Sequence, residues 1–155
     1  MQLTAKELGN AGEALALKLL IAKGYAASIL LGNYPTYDIK ASRAGMDFFV
    51  SVKVSRNKQH VRLGTRASVL RLTEKNFVFA FLPIPGQQIS LADGGYRLWI
   101  IPAHIANADS LGVHDAYWAE RGGDKYSVMV KGYGRHHVEI WKRWSAYDQA
   151  WHLLP

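Results

Sequence analysis

The sequence predicts an α/β protein with a mixed central sheet flanked by helices, and three observations carry that reading. A capped helix opens the chain, three short strands separated by tight turns follow it, and "FVFAFL" (77–82) is an unbroken apolar strand of the fully buried kind. At 155 residues the simplest organisation is one domain, 1–155, long enough to bury roughly 70% of the surface its unfolded chain would expose.

The elements follow in order from local signals. Thr4 with Glu7 three residues later forms a capping box, and Gly24 after Lys23 is a natural helix stop. "AASILL" (26–31) reads as a buried strand and "GNYP" (32–35) as turn material. "TYDIKA" (36–41) is a second strand, and "SRAG" (42–45) turns it into a third, "MDFFVSVKVS" (46–55). A basic loop is expected over 56–66 and a short helix over 67–75. After "FVFAFL", bounded by Pro83 and Pro85, comes the strand "YRLWII" (96–101), ended by Pro102, and a short helix over 103–109. The stretch 110–135, rich in Gly and charge, gives no clear element, and Ser145 is placed to cap a last helix, "AYDQAWHLL". No repeat, linker or low-complexity tract interrupts the pattern.

Composition narrows the class of function. The apolar fraction of 49% and charged fraction of 20% suit a globular chain and not a disordered one. With no cysteine there is neither a disulfide framework nor a thiolate metal site, which fits a reducing compartment. The first residues lack the basic start, apolar core and cleavage site of a signal peptide, and no apolar run approaches the roughly 20 residues that span a bilayer. The expectation is a cytoplasmic protein away from membranes.

Charge is unevenly placed. Of the formal net charge of +7, all falls in residues 1–75, where twelve Lys and Arg face five acids; residues 76–155 hold seven of each. Between Phe48 and Thr73 stand Lys53, Arg56, Lys58, Arg62, Arg66 and Arg71, and no acid. Clustered positive charge suits a polyanion such as nucleic acid, with Arg56, Lys58, Arg62 and Arg66 as its contacts. A solvated basic loop without a partner is the plainer alternative.

The third strand carries a lysine within an apolar run. Alternation puts Phe49, Ser51 and Lys53 on one face, with Ser51 and Lys53 about 7 Å apart. An antiparallel second strand would bring Asp38 close to them. Glu13 lies on the first helix among Gly9, Ala16 and Leu17, a small apolar stripe where an acid is costly unless a cation or proton compensates. The alternative is that Glu13 reaches Lys18 or solvent from the edge of that stripe. Glu13, Asp38 and Lys53 thus form a candidate constellation. Two carboxylates suit a hard dication such as Mg²⁺, and a lysine beside it can orient a water or stabilise charge on phosphorus.

The stretch "GEALALKLLIAKGYAASILLGNYPTYDIKA…FFVSVKVSR" resembles the PD-(D/E)XK nuclease superfamily, especially small bacterial members. These join a helix motif opening Gly-Glu to an Asp-bearing strand and a strand motif Gln/Glu-x-Lys. The likeness is clear over about residues 9–56 and looser beyond. It implies a restriction-endonuclease-like core, with Glu13 as the helix acid, Asp38 as the central metal ligand and Lys53 as the catalytic lysine. It also implies Mg²⁺ or Mn²⁺ as cofactor and DNA as partner. Tyr37 stands where proline often precedes the Asp, and Ser51 stands where Glu, Asp or Gln is expected. The Ser51 hydroxyl or the Val52 carbonyl would then fill a weak ligand position. Glu74 and Asp47 are the candidates for a migrated acid.

Other signals carry less. His136 and His137 are adjacent, so a strand would send them to opposite faces. His60, His104, His114 and His152 have no ligand-like spacing. Trp99 and Trp151 read as packing residues, while Trp118 and Trp144 sit in more polar surroundings where a partner could meet them. "LADGGY" (91–96) lacks the helix and Lys-Ser/Thr of a phosphate loop.

The residues point first to a metal-dependent DNA endonuclease, or a subunit of one. The rival is a catalytically inactive nuclease fold serving as a DNA-binding or protein-binding module, an immunity or regulatory factor. Ser51 favours the rival; Glu13, Asp38 and Lys53 favour the enzyme. Oligomeric state stays open, with a homodimer among the options.

Overall fold

The computed structural model describes residues 2–32, 34–56, 60–120 and 136–155. Helix α1 (Ala5–Ala22) starts as its sequence demands: the Thr4 hydroxyl accepts from the Glu7 N–H at 3.1 Å and the Glu7 carboxylate accepts from the Thr4 N–H at 3.3 Å. Its stripe Leu8, Gly12, Ala16 and Leu20 is buried. Burying the Leu20 side chain alone contributes about 1.5–3 kcal/mol.

Strands β1 (Ala26–Ile29), β2 (Ile39–Arg43) and β3 (Met46–Val54) form the expected meander, each antiparallel to the next. β3 then runs parallel to β5 (Phe77–Leu82), which pairs antiparallel with β6 (Arg97–Pro102). The five-stranded sheet has the order β1-β2-β3-β5-β6. β5 is buried at every position. Phe77, Phe79 and Phe81 pack with Val50, Val52 and α1 on one face; Val78, Ala80 and Leu82 join Trp99 and Ile101 on the other. Helix α3 (Ala103–Glu120) supplies Ala103 and Ala106 to that second face. Among the described residues no helix is long and apolar enough to cross a membrane.

Six expectations need correction. β2 begins at Ile39 rather than at Thr36, and β1 stops at Ile29. The cause lies in the connection, where Thr36 has a left-handed backbone (φ 70°) that no strand continues through. The segment 56–66 is not all loop. His60–Gly64 is strand β4, whose Val61 and Leu63 are buried, paired with β7 (His136–Glu139) in a separate two-stranded sheet. The helix expected over 67–75 is the single turn α2 (Arg66–Val69); the Asn107 amide donates to the Val69 and Leu72 carbonyls at 2.9 and 3.1 Å, so the turn needs no continuation.

The helix expected to stop near 109 runs on to Glu120. At the C-terminus, Ser145 caps no helix. A turn α4 (Ile140–Arg143) and two short 3-10 turns, Ser145–Tyr147 and Trp151–Leu153, replace it. Between them Asp148 bridges Trp99 and the Gln149 N–H donates to the Leu98 carbonyl at 2.9 Å. Pairing with the edge of β6 outweighs helix propensity there. Trp144 is fully buried and donates to Asp109 at 2.8 Å, so it is a packing residue and not a partner contact.

Candidate active site

The site forms where β2 leaves β3. The paired register ends at Ile39 opposite Val50. Asp38 lies one step beyond, its N–H still donating to the Val50 carbonyl at 2.9 Å and its carbonyl accepting from Leu30 at 2.8 Å. β3 continues to Val54 with that edge uncovered by β2. The next amide on the edge, the Val52 N–H, donates instead to the Asp38 carboxylate, at 2.7 Å. In an antiparallel ladder a residue's N–H and C=O point to the same side, so the Val52 carbonyl opens into the same gap.

The approach to Asp38 is clamped. The Thr36 hydroxyl donates to the Ser68 carbonyl at 3.1 Å and meets the Ser68 hydroxyl at 3.0 Å. The Tyr37 hydroxyl donates to the Arg71 carbonyl at 2.7 Å and accepts from the Thr73 N–H at 3.2 Å and the Asn76 amide at 3.3 Å. Tyr37, the departure from the expected proline, therefore anchors this turn through its phenol rather than through a fixed φ.

Glu13 reaches the gap because α1 passes unusually close to β3. A Cβ on Gly12 would stand 2.3 Å from a Val54 methyl and 3.5 Å from a Val52 methyl. Only glycine permits that approach, and the next residue is carried over the gap. Burial, then a side-chain hydrogen bond to Asp38 and the Asp38 charge, push Glu13 from 4.5 up to about 7; the positive charge of Lys53 acts in the opposite direction. Glu13, Asp38 and Lys53 thus come together from a helix, a strand start and a strand interior.

Ser51 is fully buried, and its hydroxyl has no hydrogen-bond partner among the described residues. Neither candidate migrated acid joins it. Asp47 pairs with Lys40 at 3.6 Å near the start of β3. Glu74 precedes β5, whose register sets Phe77 opposite Val50 and Ala80 opposite Lys53. Among the described residues no group of three or more His, Cys, Asp or Glu could hold a metal ion. What remains is the Glu13 and Asp38 carboxyl groups, near enough for Asp38 to raise Glu13, and the Val52 carbonyl at the same strand edge. That oxygen-only set fits a hard dication held by one or two carboxylates and otherwise by water and phosphate.

The basic residues differ in their surroundings. Arg62 projects from β4 into solvent between buried Val61 and Leu63. Arg56 is exposed and its guanidinium donates to the Leu3 carbonyl. Arg66 is ion-paired with Asp115 at 2.9 Å. Lys58 lies outside the described residues, as does the side chain of Trp118.

No family model matches the chain, and no curated protein matches its sequence. Solved structures do resemble it. A bacterial homing endonuclease has a TM-score of 0.50 and 18% identity, over 97% of this chain and 91% of its own. The Holliday junction resolvase Hjc of the archaeal hyperthermophile Archaeoglobus fulgidus has a TM-score of 0.45 and 19% identity, over 63% and 74%. The fold is restriction-endonuclease-like. The mixed sheet and flanking helices are those the sequence predicts.

Two contributors were not singled out from sequence. Gly12 reads only as the first residue of a helix motif, although a glycine beside a buried acid is itself a signal of close approach. The Val52 N–H, which orients Asp38, carries no side-chain signal at all.

Proposed function

We propose that the chain is a metal-dependent DNA endonuclease, or a subunit of one. The observation that carries this reading is the meeting of the Glu13 and Asp38 carboxyl groups beside Lys53, at the bare edge of β3. Stability alone does not account for it, because two acids drawn together raise each other's cost of ionisation.

Asp38, oriented by the Val52 N–H, and Glu13 would hold Mg²⁺ or Mn²⁺, with the Val52 carbonyl and Ser51 hydroxyl as weaker donors. The bound cation supplies polarisation of a phosphodiester and a lowered pKa for a coordinated water. Lys53 orients the attacking water and offsets negative charge that builds on the phosphate oxygens. Arg56, Arg62 and Lys58 track the backbone on either side, and Arg66 contributes to the extent that Asp115 releases it. A homodimer would supply two such sites to a duplex.

The test is cleavage of plasmid and oligonucleotide DNA in Mg²⁺ and in Mn²⁺. The wild type nicks or cuts, Asp38→Ala and Lys53→Ala do not, and all three give folded circular-dichroism spectra. Activity that survives both substitutions overturns the assignment. The reading of an inactive nuclease fold that binds DNA or protein rests on the lack of a carboxylate at Ser51, and a wild type inert on all DNA and RNA tested would establish it.

A further inference from the structure

Beside the site lies an aromatic surface that the proposed chemistry does not use. Tyr34 is 48% exposed, and its ring stacks on Phe49 with centroids 5.6 Å apart and planes at 27°. Phe49 in turn meets Tyr37 at 5.6 Å. Three rings thus form a tier with Tyr34 outermost, on the side of the sheet away from α1. Leu31, on the same connection between β1 and β2, is 88% exposed.

The position of this tier relates it to the gap. Strand alternation puts Phe49 on the face of Ser51 and Lys53, one two-residue repeat of about 7 Å from Ser51. That repeat is the scale of one nucleotide step in an extended strand. Tyr34 is also four residues ahead of Asp38, on the same connection. That connection is held by Thr36 on Ser68 and by the Tyr37 hydroxyl on Arg71, Thr73 and Asn76. Thr36 keeps a left-handed backbone, a conformation costly for a β-branched residue, so the surrounding bonds hold the turn in one shape. Tyr34 is therefore carried on a pre-set turn rather than a free loop.

An exposed ring stacked from beneath has one π-face left, and water is a poor partner for it. A nucleobase is a good one, since every base has a π-face and stacking is tolerant of sequence. A base inside a continuous duplex is already stacked on both sides. Resting on the nuclease reading of the gap, we infer that Tyr34 is a stacking platform for an unpaired base next to the phosphate at Asp38 and Lys53. The substrate class is then DNA with single-stranded or locally opened character rather than continuous duplex.

Binding without divalent metal, so that nothing is cut, tests this. The probes are labelled oligothymidine and a blunt duplex of the same length, read by fluorescence anisotropy. Tyr34→Leu still covers Phe49 but has no π-face, and Tyr34→Phe keeps the ring without the hydroxyl. Tyr34→Leu is expected to lose roughly tenfold in affinity for the single strand and little for the duplex, while Tyr34→Phe matches the wild type. Unchanged single-strand binding by Tyr34→Leu, equal losses on both probes, or an equal loss in Tyr34→Phe overturns the platform while leaving the nuclease reading intact. A wild type that binds neither probe overturns the nuclease reading and the platform with it. Should Tyr34→Leu not fold, 2-aminopurine within the single strand reports on the wild type directly: stacking quenches its emission on binding, and undiminished emission overturns the platform.

Discussion

The Asp38 carboxylate, at the entry to β2, accepts the Val52 N–H at 2.7 Å, and burial, then hydrogen bonding and charge from Asp38, hold the proton of Glu13 on α1 up to about 7. Two acids hold such a bond only while they share a proton, and a dication is the other species that satisfies both. The folded chain thus lowers the negative charge of two neighbouring acids beside Lys53.

Glu13 makes stability depend on pH. Its proton is held more tightly in the folded chain, at about 7, than at the ordinary 4.5 of the unfolded chain. The stabilisation is therefore fully present below pH 4.5 and is lost as pH rises through about 7. Because Glu13 is partly exposed and water screens the interaction, the loss amounts to about 1 kcal/mol. Chemical denaturation from pH 4 to 8 without metal should show the decline in wild type and a flatter profile in Glu13→Gln. Equal profiles would mean that Glu13 does not share a proton with Asp38.

Asp38 has two separable roles. Asp38→Asn keeps an acceptor for the Val52 N–H but removes the charge, whereas Asp38→Ala leaves a largely buried amide unpaired. Both variants should lose cleavage, and Asp38→Ala should be the less stable by about 1–2 kcal/mol. Urea unfolding of the pair, compared with their activities, separates orientation from charge.

Gly12→Ala opposes two effects. Helix propensity favours alanine by about 1 kcal/mol. The added Cβ, however, would lie 2.3 Å from a Val54 methyl, and a β-branched side chain in a buried strand has little freedom to move away. The steric effect wins, with a net loss of about 1–3 kcal/mol. Activity should fall further than stability, because displacing α1 takes Glu13 away from Asp38. A variant as stable and as active as wild type would show that the close approach does not position the site.

The sheet and the candidate site were legible in the sequence to unequal degrees. β5 came through whole because a strand buried on both faces leaves an unbroken apolar run. Asp38 and Lys53 could be grouped because strand alternation and the "SRAG" turn constrain them, and Glu13 because an acid on a small apolar helix stripe needs a partner. β4 was missed because its alternation, Val61 and Leu63 around Arg62, is only five residues long and its partner β7 lies far along the chain. The C-terminal helix failed for the same physical reason: Gln149 leaves helical geometry (φ 51°) to bond the edge of β6, a distant contact no local propensity encodes.

Basic residues should reveal themselves by salt. Arg62 points into solvent, whereas Arg66 is tied to Asp115. Each phosphate neutralised adds about 0.9 to the slope of log affinity against log salt on duplex DNA. Arg62→Gln should therefore lower the slope by about one contact, and Arg66→Gln by less. Binding titrations across a salt series check this, and unchanged affinity and slope in both variants would make the basic run solubilising surface.

Ser51 tests whether the site is one ligand short. Its hydroxyl is buried without a partner among the described residues, so Ser51→Ala should cost no stability and can gain up to about 1 kcal/mol. Ser51→Glu places a carboxyl group where the strand motif of the nuclease superfamily that the sequence resembles carries one. Without metal that group is a buried carboxyl with no partner among the described residues, so the variant should melt lower than wild type. With millimolar Mn²⁺ it should recover, because a third carboxylate adds most of the attraction a hard dication needs. Thermal melts with and without Mn²⁺ give this answer independently of catalysis, and turnover should rise in the same variant. If Mn²⁺ shifts neither wild type nor Ser51→Glu, the gap between β2 and β3 does not hold metal, and the acids and lysine there serve binding alone.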